Sequence, residues 1–287
     1  MTTADAIVER EPLTLTDGRQ LAVCEAGDPD GPVALYLHGT GSSRLEVALY
    51  GEAAARHGIR LVAWDRPGAG RSSFQPGRRL RDVLDDARAV AASVGADRPV
   101  AFGHSGGGTH VVALASAAPH VIRAGVAINP GGPSDDDTLS RLPRQFQWTI
   151  RAARDRPWVF DLLGRMMEHR GNRVIDAVKN RAVDPADRAL INDPRIRPLF
   201  EAAAVEGGLQ PRAYTKEAVM FWTQPWDISL TTFAVPLHVY AGRDDPFRSF
   251  AESLGRAGAQ LHWFDGGHVF CFADPVMEDL LSQIAAL

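Results

Sequence analysis

Cysteine is scarce in this sequence of 287 residues, and long hydrophobic runs are missing from it. Cys24 and Cys271 are its two cysteines. Two cysteines in a chain of this length do not form a disulfide framework, so we expect both to be buried or half-buried thiols in a reducing compartment. No run of about 18 consecutive apolar residues occurs, so we expect no membrane-spanning helix.

The sequence also lacks an excess of basic charge. Its 31 basic and 35 acidic side chains give a formal net charge of −4, without the basic cluster that nucleic-acid binding requires. Residues 1–12 have neither the basic segment nor the apolar core of a secretion signal. We find no metal-ligand spacing of Cys and His and no dinucleotide fingerprint. The expectation is a cytoplasmic protein, monomeric or homodimeric, that acts on a small molecule without metal or cofactor.

Hydrophobic patterning predicts strands and helices that alternate along most of the chain, and this alternation is typical of an α/β protein with a mainly parallel sheet. The rhythm stops between residues 130 and 233, a stretch rich in Arg, Asp and aromatics that prolines divide into short helical pieces. We therefore predict a core formed by 1–129 and 234–287, with 130–233 inserted as a helical cap. The predicted strands cover 21–25, 33–37, 60–64, 100–102, 124–128, 237–240 and 260–264.

The segment from Gly103 to Gly107 contains the first catalytic candidate. Its letters, GHSGG, fit the pattern G-x-S-x-G, and they stand between a predicted strand and a predicted helix over 106–117. A nucleophile elbow needs this strand-to-helix turn, with glycines where the strained serine backbone brings neighbours too close for side chains. Ser105 is therefore the candidate nucleophile. The alternative is a glycine-rich turn with an exposed serine.

Two backbone amides are candidates for an oxyanion hole. His38-Gly39-Thr40-Gly41 follows the predicted strand 33–37. A tetrahedral intermediate needs two N–H donors directed at its oxygen. Gly106, which follows the nucleophile, offers one amide, and Thr40 offers the other. We expect His38 to be structural, with its ring bonded to loop backbone.

The acid and the base of a triad should follow the nucleophile in that order. Asp244 and Asp245 compete for the first role after the predicted strand 237–240. The Gly-x-x-Asp-Pro arrangement favours Asp245, which leaves Asp244 as a solvated or turn-capping carboxylate. His268 follows two glycines after the last predicted strand. Its near-neutral titration suits a general base.

Together these segments resemble the α/β-hydrolase superfamily, and in particular its capped bacterial serine hydrolases and esterases. The resemblance implies a mostly parallel eight-stranded sheet with helices on both faces and a cap inserted after the sixth strand. It also implies that Asp65 and Arg66 shape a turn. The matching segments are HGTG (38–41), WDRPGAGRSS (64–73), GHSGGG (103–108), GRDDP (242–246) and GGH (266–268).

The resemblance narrows the chemistry as well. Related dehalogenases and epoxide hydrolases have aspartate at the nucleophile position, where this chain has Ser105. A serine with this triad suits a carboxylic ester, a thioester or a lactone. A C–C bond hydrolase or a perhydrolase with the same triad remains an alternative. A ligand-binding member of the fold with little turnover is another, although the intact set of motifs argues against it.

The aromatic and methionine side chains of the predicted cap over 130–233 indicate the size and polarity of the substrate. Such side chains form the core of a cap, but a cap over the elbow must also present some of them to the cleft. We therefore expect a mid-sized, mainly apolar substrate. The candidate substrate-binding residues are Met166, Phe221 and Trp222 of the insertion and His104 beside the nucleophile.

Overall fold

The computed structural model describes residues 7–132, 185–210, 226–229 and 232–287, with isolated residues between 139 and 162. Much of the expected cap over 130–233 therefore lies outside the described residues. The same holds for Met166, Phe221 and Trp222.

Ten strands occur in the described residues, and eight of them form one sheet in the order β1-β4-β6-β5-β7-β8-β9-β10. The β1/β4 and β4/β6 pairs are antiparallel and the other pairs are parallel, which confirms the expected mostly parallel eight-stranded sheet. The strands are β1 (Val8–Glu9), β2 (Leu13–Thr14), β3 (Gln20–Leu21), β4 (Val23–Gly27), β5 (Val33–Leu37), β6 (Arg60–Trp64), β7 (Val100–His104), β8 (Ala124–Ile128), β9 (Leu237–Gly242) and β10 (Gln260–Phe264).

The strand predicted over 21–25 is divided in the structure. β3 pairs with β2 in a separate hairpin, and β4 joins the main sheet. The break falls at Ala22, whose amide donates to the Ser72 hydroxyl at 2.9 Å. Because a side chain satisfies this amide, the chain can leave one sheet and enter another without an orphaned buried donor.

Helices cover both faces of the sheet. The described helices are α1 (Ala48–Arg56), α2 (Val83–Ser93), α3 (Gly106–Ala117), α4 (Pro185–Ile191), α5 (Arg197–Gly207), α6 (Arg248–Arg256) and α7 (Asp274–Ala286), with single 3₁₀ turns at Arg44–Val47, Leu80–Asp82 and Phe270–Phe272. In the residues that the structure describes, no helix has both the length and the apolar character needed to cross a bilayer.

The core consists of two apolar layers, one on each face of the sheet. Leu35 and Leu37 of β5 pack with α2, α3 and α6, whereas Ala34 and Tyr36 pack with α1 and α7. Successive side chains of a strand point to opposite faces, so a strand covered on both faces is a continuous apolar run. Both cysteines are buried free thiols, as the sequence predicted.

The topology brings the loops that carry the candidate site residues to one edge of the sheet. Because β5, β7, β9 and β10 run in the same direction, their carboxyl ends meet there. Two helices of the segment between β8 and β9 reach this edge: α5 contacts the turn Arg44–Val47, and α4 contacts the turn Phe270–Phe272.

A buried ion pair fastens the turn after β6. Asp65 accepts hydrogen bonds from the Arg44 guanidinium and the Arg44 amide, each at 2.6 Å, and from the Arg71 amide at 2.9 Å. Both side chains of the Arg44–Asp65 pair are at most 1% exposed. These contacts agree with the structural role expected of Asp65.

Replacing Asp65 with alanine should lower the free energy of unfolding by about 3–5 kcal/mol, because it leaves the buried Arg44 guanidinium without its fully buried partner and with only Glu9 and Glu206 to balance its charge. Urea unfolding followed by circular dichroism measures this change. The control is Arg56→Ala, which removes a half-exposed arginine of surface ion pairs and should leave the unfolding midpoint unchanged. An Asp65→Ala protein that unfolds at the wild-type midpoint would contradict this role.

Candidate active site

The turn between β7 and α3 holds Ser105 in a strained conformation. Its φ is +56° and its ψ is −121°, and its amide donates to the Ile128 carbonyl at 2.9 Å. A positive φ at a non-glycine residue costs about 1–3 kcal/mol and persists where the surrounding structure enforces it. The sharp turn places the serine hydroxyl at the carboxyl edge of the sheet, in front of the amino end of α3.

Two glycines let this turn lie against β5. A Cβ atom at Gly107 would stand 1.9 Å from the Leu37 carbonyl oxygen, and one at Gly103 would stand 2.7 Å from the same oxygen. Neither approach leaves room for a side chain. The elbow is therefore packed directly on the end of β5, from which the 38–41 loop starts.

Ser105, His268 and Asp245 form a continuous chain of hydrogen bonds. His268 Nε2 lies 2.9 Å from Ser105 Oγ, and His268 Nδ1 lies 2.5 Å from Asp245 Oδ2. A carboxylate only accepts, so Nδ1 carries the proton and Nε2 accepts from the serine hydroxyl. In this tautomer the imidazole can take the serine proton.

Of the two competing aspartates, the structure brings Asp245 to the histidine. Its side chain is buried, and its second oxygen accepts the Phe247 amide at 2.6 Å. Asp244 is exposed, and its amide donates to the Gly266 carbonyl. The Asp245 carboxylate is therefore fixed from both oxygens, whereas Asp244 shapes the turn through its backbone.

Three carboxylates determine the charge preference of the histidine. Burial by itself lowers the pKa of His268, but Asp245, with smaller contributions from Asp187 and Glu46, outweighs it and raises that pKa above its ordinary value. The surroundings thus favour the imidazolium that forms when His268 accepts a proton.

Thr40 and Gly106, the two candidate oxyanion-hole residues, lie close together. A Cβ atom built on Gly106 would stand 2.1 Å from Thr40 Oγ1 and 3.3 Å from the Thr40 nitrogen. This close approach places the 38–41 loop against the first residue of α3. An oxyanion hole formed by the two amides requires this proximity, and their role as its donors stays a prediction.

Buried polar groups fix the loop that carries Thr40. His38 is 1% exposed; its Nδ1 bonds the Gly39 carbonyl at 2.8 Å, and its Nε2 accepts the Arg66 amide at 3.2 Å. The Arg66 guanidinium also donates to the His38 carbonyl. The contacts of both side chains are the structural ones that the sequence predicted.

Sequence reasoning missed Glu46, which supports the same loop. This carboxyl is 2% exposed, accepts the Gly39 amide at 3.0 Å and bonds the Tyr36 hydroxyl at 2.5 Å. Burial raises its pKa. The one signal in the sequence was a glutamate between two apolar residues, Leu45 and Val47.

His104, expected to contact substrate, is bonded to the loop that carries His268. Its Nε2 lies 2.8 Å from the His268 carbonyl oxygen, and the two rings stand 4.9 Å apart. Burial lowers the pKa of His104 to about 3, so the ring is neutral and Nε2–H is the donor. This contact favours a role in positioning His268; direct contact with substrate stays a prediction.

Asn129 and Asp187 also hold this loop, and neither was found from the sequence. The Asn129 side chain donates from Nδ2 to the His268 carbonyl at 2.8 Å, and its Oδ1 accepts the Gly242 backbone amide at 2.8 Å. Asp187 of α4 accepts the His268 amide at 2.7 Å. No motif marks either residue, because each meets the loop only in the folded chain.

In the part of the chain that the structure describes, no three His, Cys, Asp or Glu side chains are grouped so that they could hold a metal ion.

Comparison with known proteins agrees with this architecture. Residues 34–278 match the model of the alpha/beta hydrolase family. A Mycobacterium phage D29 protein with the provisional name non-heme haloperoxidase is 26% identical over 148 residues, 51% of this chain and 52% of that protein. The chain thus aligns with about half the length of this relative.

Solved structures share the fold along almost the whole chain. The crystal structure of an enol-lactonase from Burkholderia xenovorans LB400 has a TM-score of 0.71 at 17% identity and covers 96% of this chain and 100% of its own. A thermophilic esterase from Thermogutta terrifontis has a TM-score of 0.68 at 17% identity and covers 97% of both chains.

The family match begins within β5 and ends within α7, so it includes the elbow and the loops after β9 and β10. The strand order, the turn at Ser105 and the sequence match all point to the same conclusion. This chain belongs to the alpha/beta hydrolase family.

Proposed function

We propose that this protein is a serine hydrolase that cleaves a carboxylic ester, thioester or lactone of a mid-sized, mainly apolar substrate. The observation that carries the proposal is the unbroken chain of hydrogen bonds from Ser105 Oγ through His268 to Asp245. A hydroxyl, an imidazole and a carboxylate in this order form an activated nucleophile.

The first half of the reaction forms an acyl-enzyme. His268 Nε2 takes the proton as Ser105 Oγ attacks the substrate carbonyl carbon, and Asp245 stabilises the imidazolium. The amides of Thr40 and Gly106 donate to the carbonyl oxygen as it becomes negative. His268 then protonates the leaving group, whose bond to the carbonyl carbon breaks.

The second half regenerates the enzyme. Water attacks the acyl carbon while His268 removes its proton, and the same two amides hold the second oxyanion. The bond to Ser105 Oγ breaks, Ser105 recovers its proton from His268, and the acid is released.

Two observations support an ester or lactone as substrate. The solved neighbours include proteins described as an enol-lactonase and as an esterase. The nucleophile is a serine, whose acyl ester water can hydrolyse once His268 activates it. The apolar character of the substrate rests on the aromatic content of the insertion.

The direct test is hydrolysis of p-nitrophenyl esters from acetate to laurate, of an acyl thioester and, in a pH-stat assay, of an aliphatic lactone. The proposal expects turnover of at least one series, with a preferred chain length that reports the size of the acyl pocket. If no ester, thioester or lactone is turned over, the proposal is wrong.

Perhydrolysis is a second candidate, favoured by the name of the phage relative. With hydrogen peroxide in place of water, the same acyl-enzyme would release a peracid. Monochlorodimedone halogenation in acetate, peroxide and halide measures this activity. A value of kcat/KM for peracid formation above that for ester hydrolysis would favour the perhydrolase; a value far below it would favour the hydrolase.

The pH dependence follows from the environment of His268. The base must be neutral to take the serine proton, so kcat/KM should fall as the pH drops through its pKa. Because that pKa is raised above 6.5, the midpoint of the acidic limb should lie above 6.5. Initial rates across the pH range in one constant-ionic-strength buffer measure it. A midpoint below 6.5 in a protein that remains folded would contradict this environment.

A further inference from the structure

Asp187 comes from the insertion, far along the chain from every motif, yet it touches the catalytic base. Its Oδ2 accepts the His268 amide at 2.7 Å, and its Oδ1 accepts the Val269 amide at 3.3 Å. The side chain is 2% exposed although it belongs to a charge-rich segment. A buried carboxylate is retained where it has strong partners, and here these include two consecutive backbone amides of the base loop.

We propose that Asp187 is a positioning residue through which the insertion holds the His268 loop in its working conformation and supports the charged form of the base. This inference rests on the proposed hydrolase function, because it assigns a role at the same site. It adds a residue from outside the core to the Ser105–His268–Asp245 chain.

The loop needs such a support because its own backbone is permissive. Gly266 has a φ of +145°, and Gly267 precedes the histidine directly. A Cβ atom at Gly267 would stand 2.3 Å from Asp187 Oδ2, so the glycine lets the carboxylate approach the backbone. The same freedom allows the loop to move, and two hydrogen bonds to a fixed carboxylate restrict that movement.

Asp187 holds the backbone N–H of His268, and residues of the core hold its backbone carbonyl. Asp187 accepts the His268 amide, while Asn129 and His104 donate to the His268 carbonyl, each at 2.8 Å. The backbone of the base is thus held at both polar groups. If the amide side is released, the imidazole can move relative to Ser105, and a displacement of about 1 Å can cost about 100-fold in rate.

A second helix of the insertion, α5, lies against the 38–41 loop, since a Cβ atom on Gly207 would stand 2.8 Å from the Gly41 carbonyl oxygen. Ser43 donates to the Ala203 carbonyl of α5 at 3.0 Å, and Glu206 at the end of α5 accepts from Arg44 at 2.9 Å. The described helices of the insertion therefore contact both loops that must be in place for catalysis. The hydrogen bond between Asp187 and the His268 amide is one of these contacts.

The negative charge of Asp187 gives this role a measurable effect that packing alone would not produce, namely a shift in the pH profile. The groups that act on the His268 ring are the carboxylates of Asp245, Asp187 and Glu46, the neutral ring of His104 and the hydroxyl of Ser105. Removing the Asp187 charge leaves two carboxylates, so the pKa of His268 should fall. The acidic limb of the pH profile should then move to lower pH.

The test compares Asp187→Asn and Asp187→Ala with wild type and with Asp193→Asn. Asparagine keeps one acceptor oxygen and removes the charge, whereas alanine removes both. Asp193 is another acid of the insertion, paired with Arg195 and absent from the base loop, so its change controls for lost charge. The probe is a fluorophosphonate, which Ser105 attacks with loss of fluoride, so the labelling rate reports on the nucleophile without a known substrate.

We expect the labelling rate of Asp187→Ala to fall about 100-fold. The labelling rate of Asp187→Asn should fall less. The acidic limb of the pH profile should move to lower pH in both Asp187 variants, and Asp193→Asn should match wild type in rate and midpoint. With an ester substrate, the loss should appear in kcat and little in KM. The Asn variant, which preserves shape, keeps the test valid if the Ala variant fails to fold.

Two failures are distinguishable. If wild type is labelled at Ser105 and both Asp187 variants keep its rate and its pH midpoint, the positioning role is overturned and the hydrolase proposal stands. If wild type itself is not labelled at Ser105, the proposed function is overturned, and the inference with it.

Discussion

Ser105→Ala should lower kcat for the best ester substrate by about a millionfold, because it removes the proposed nucleophile and with it covalent catalysis. The substitution removes one oxygen atom, and the contacts of Ile128 and α3 with the serine backbone do not depend on it. Steady-state kinetics of purified wild type and variant, with active-site titration to exclude trace contamination, measure the loss.

The thermal stability of variants at Ser105 provides the control. Alanine keeps the positive φ of +56°, so the melting temperature of Ser105→Ala should stay close to that of wild type. Ser105→Gly relieves the strain and should be at least as stable, although equally inactive. A Ser105→Ala protein that folds and retains turnover within tenfold of wild type would contradict the assignment of the nucleophile.

Gly106→Ala is expected to cost about 100- to 1,000-fold in kcat, the usual effect of losing one oxyanion donor. Gly106 is the first residue of α3, where alanine is conformationally acceptable, so the damage is steric. The new methyl group would stand 2.1 Å from Thr40 Oγ1 and displace the loop that offers the Thr40 amide. The measurement is kcat and KM for one ester, with KM expected to change little.

Thr40→Ala provides a matched rescue of this variant. The proposed oxyanion donor is the Thr40 backbone amide, so Thr40→Ala alone should keep activity within a few-fold of wild type. In the double variant the atom that clashes with the new methyl group is gone, and most of the lost kcat should return. A double variant as slow as Gly106→Ala would show that the loss does not come from contact with Thr40.

The parts of the fold that sequence predicted are those set by local patterns. Strands 33–37, 60–64, 124–128 and 260–264 and the helix over 106–117 have the predicted bounds. Each is an apolar run between glycines, prolines or charged turns, so the information lies within a few residues. The elbow is equally local in sequence, because its serine and its glycines stand within the five residues 103–107.

The supports of the site could not be predicted in this way. Asp187, Asn129 and Glu46 are polar residues in segments without a motif, and the first two meet the His268 loop across 81 and 139 residues of chain. Their roles depend on burial and on which backbone groups the fold leaves beside them. His104 has the same explanation: its neighbour is the His268 carbonyl, which no spacing rule identifies.

Trapping of the acyl-enzyme tests the central claim most directly. Wild type is mixed with p-nitrophenyl acetate, quenched in acid during the first turnovers, digested and analysed by mass spectrometry, with Ser105→Ala as the parallel sample. The account predicts one acetyl group on the peptide that contains Ser105, formed in step with a burst of p-nitrophenolate and absent from the variant. Turnover without that adduct, or an adduct that persists in Ser105→Ala, would contradict covalent catalysis by Ser105.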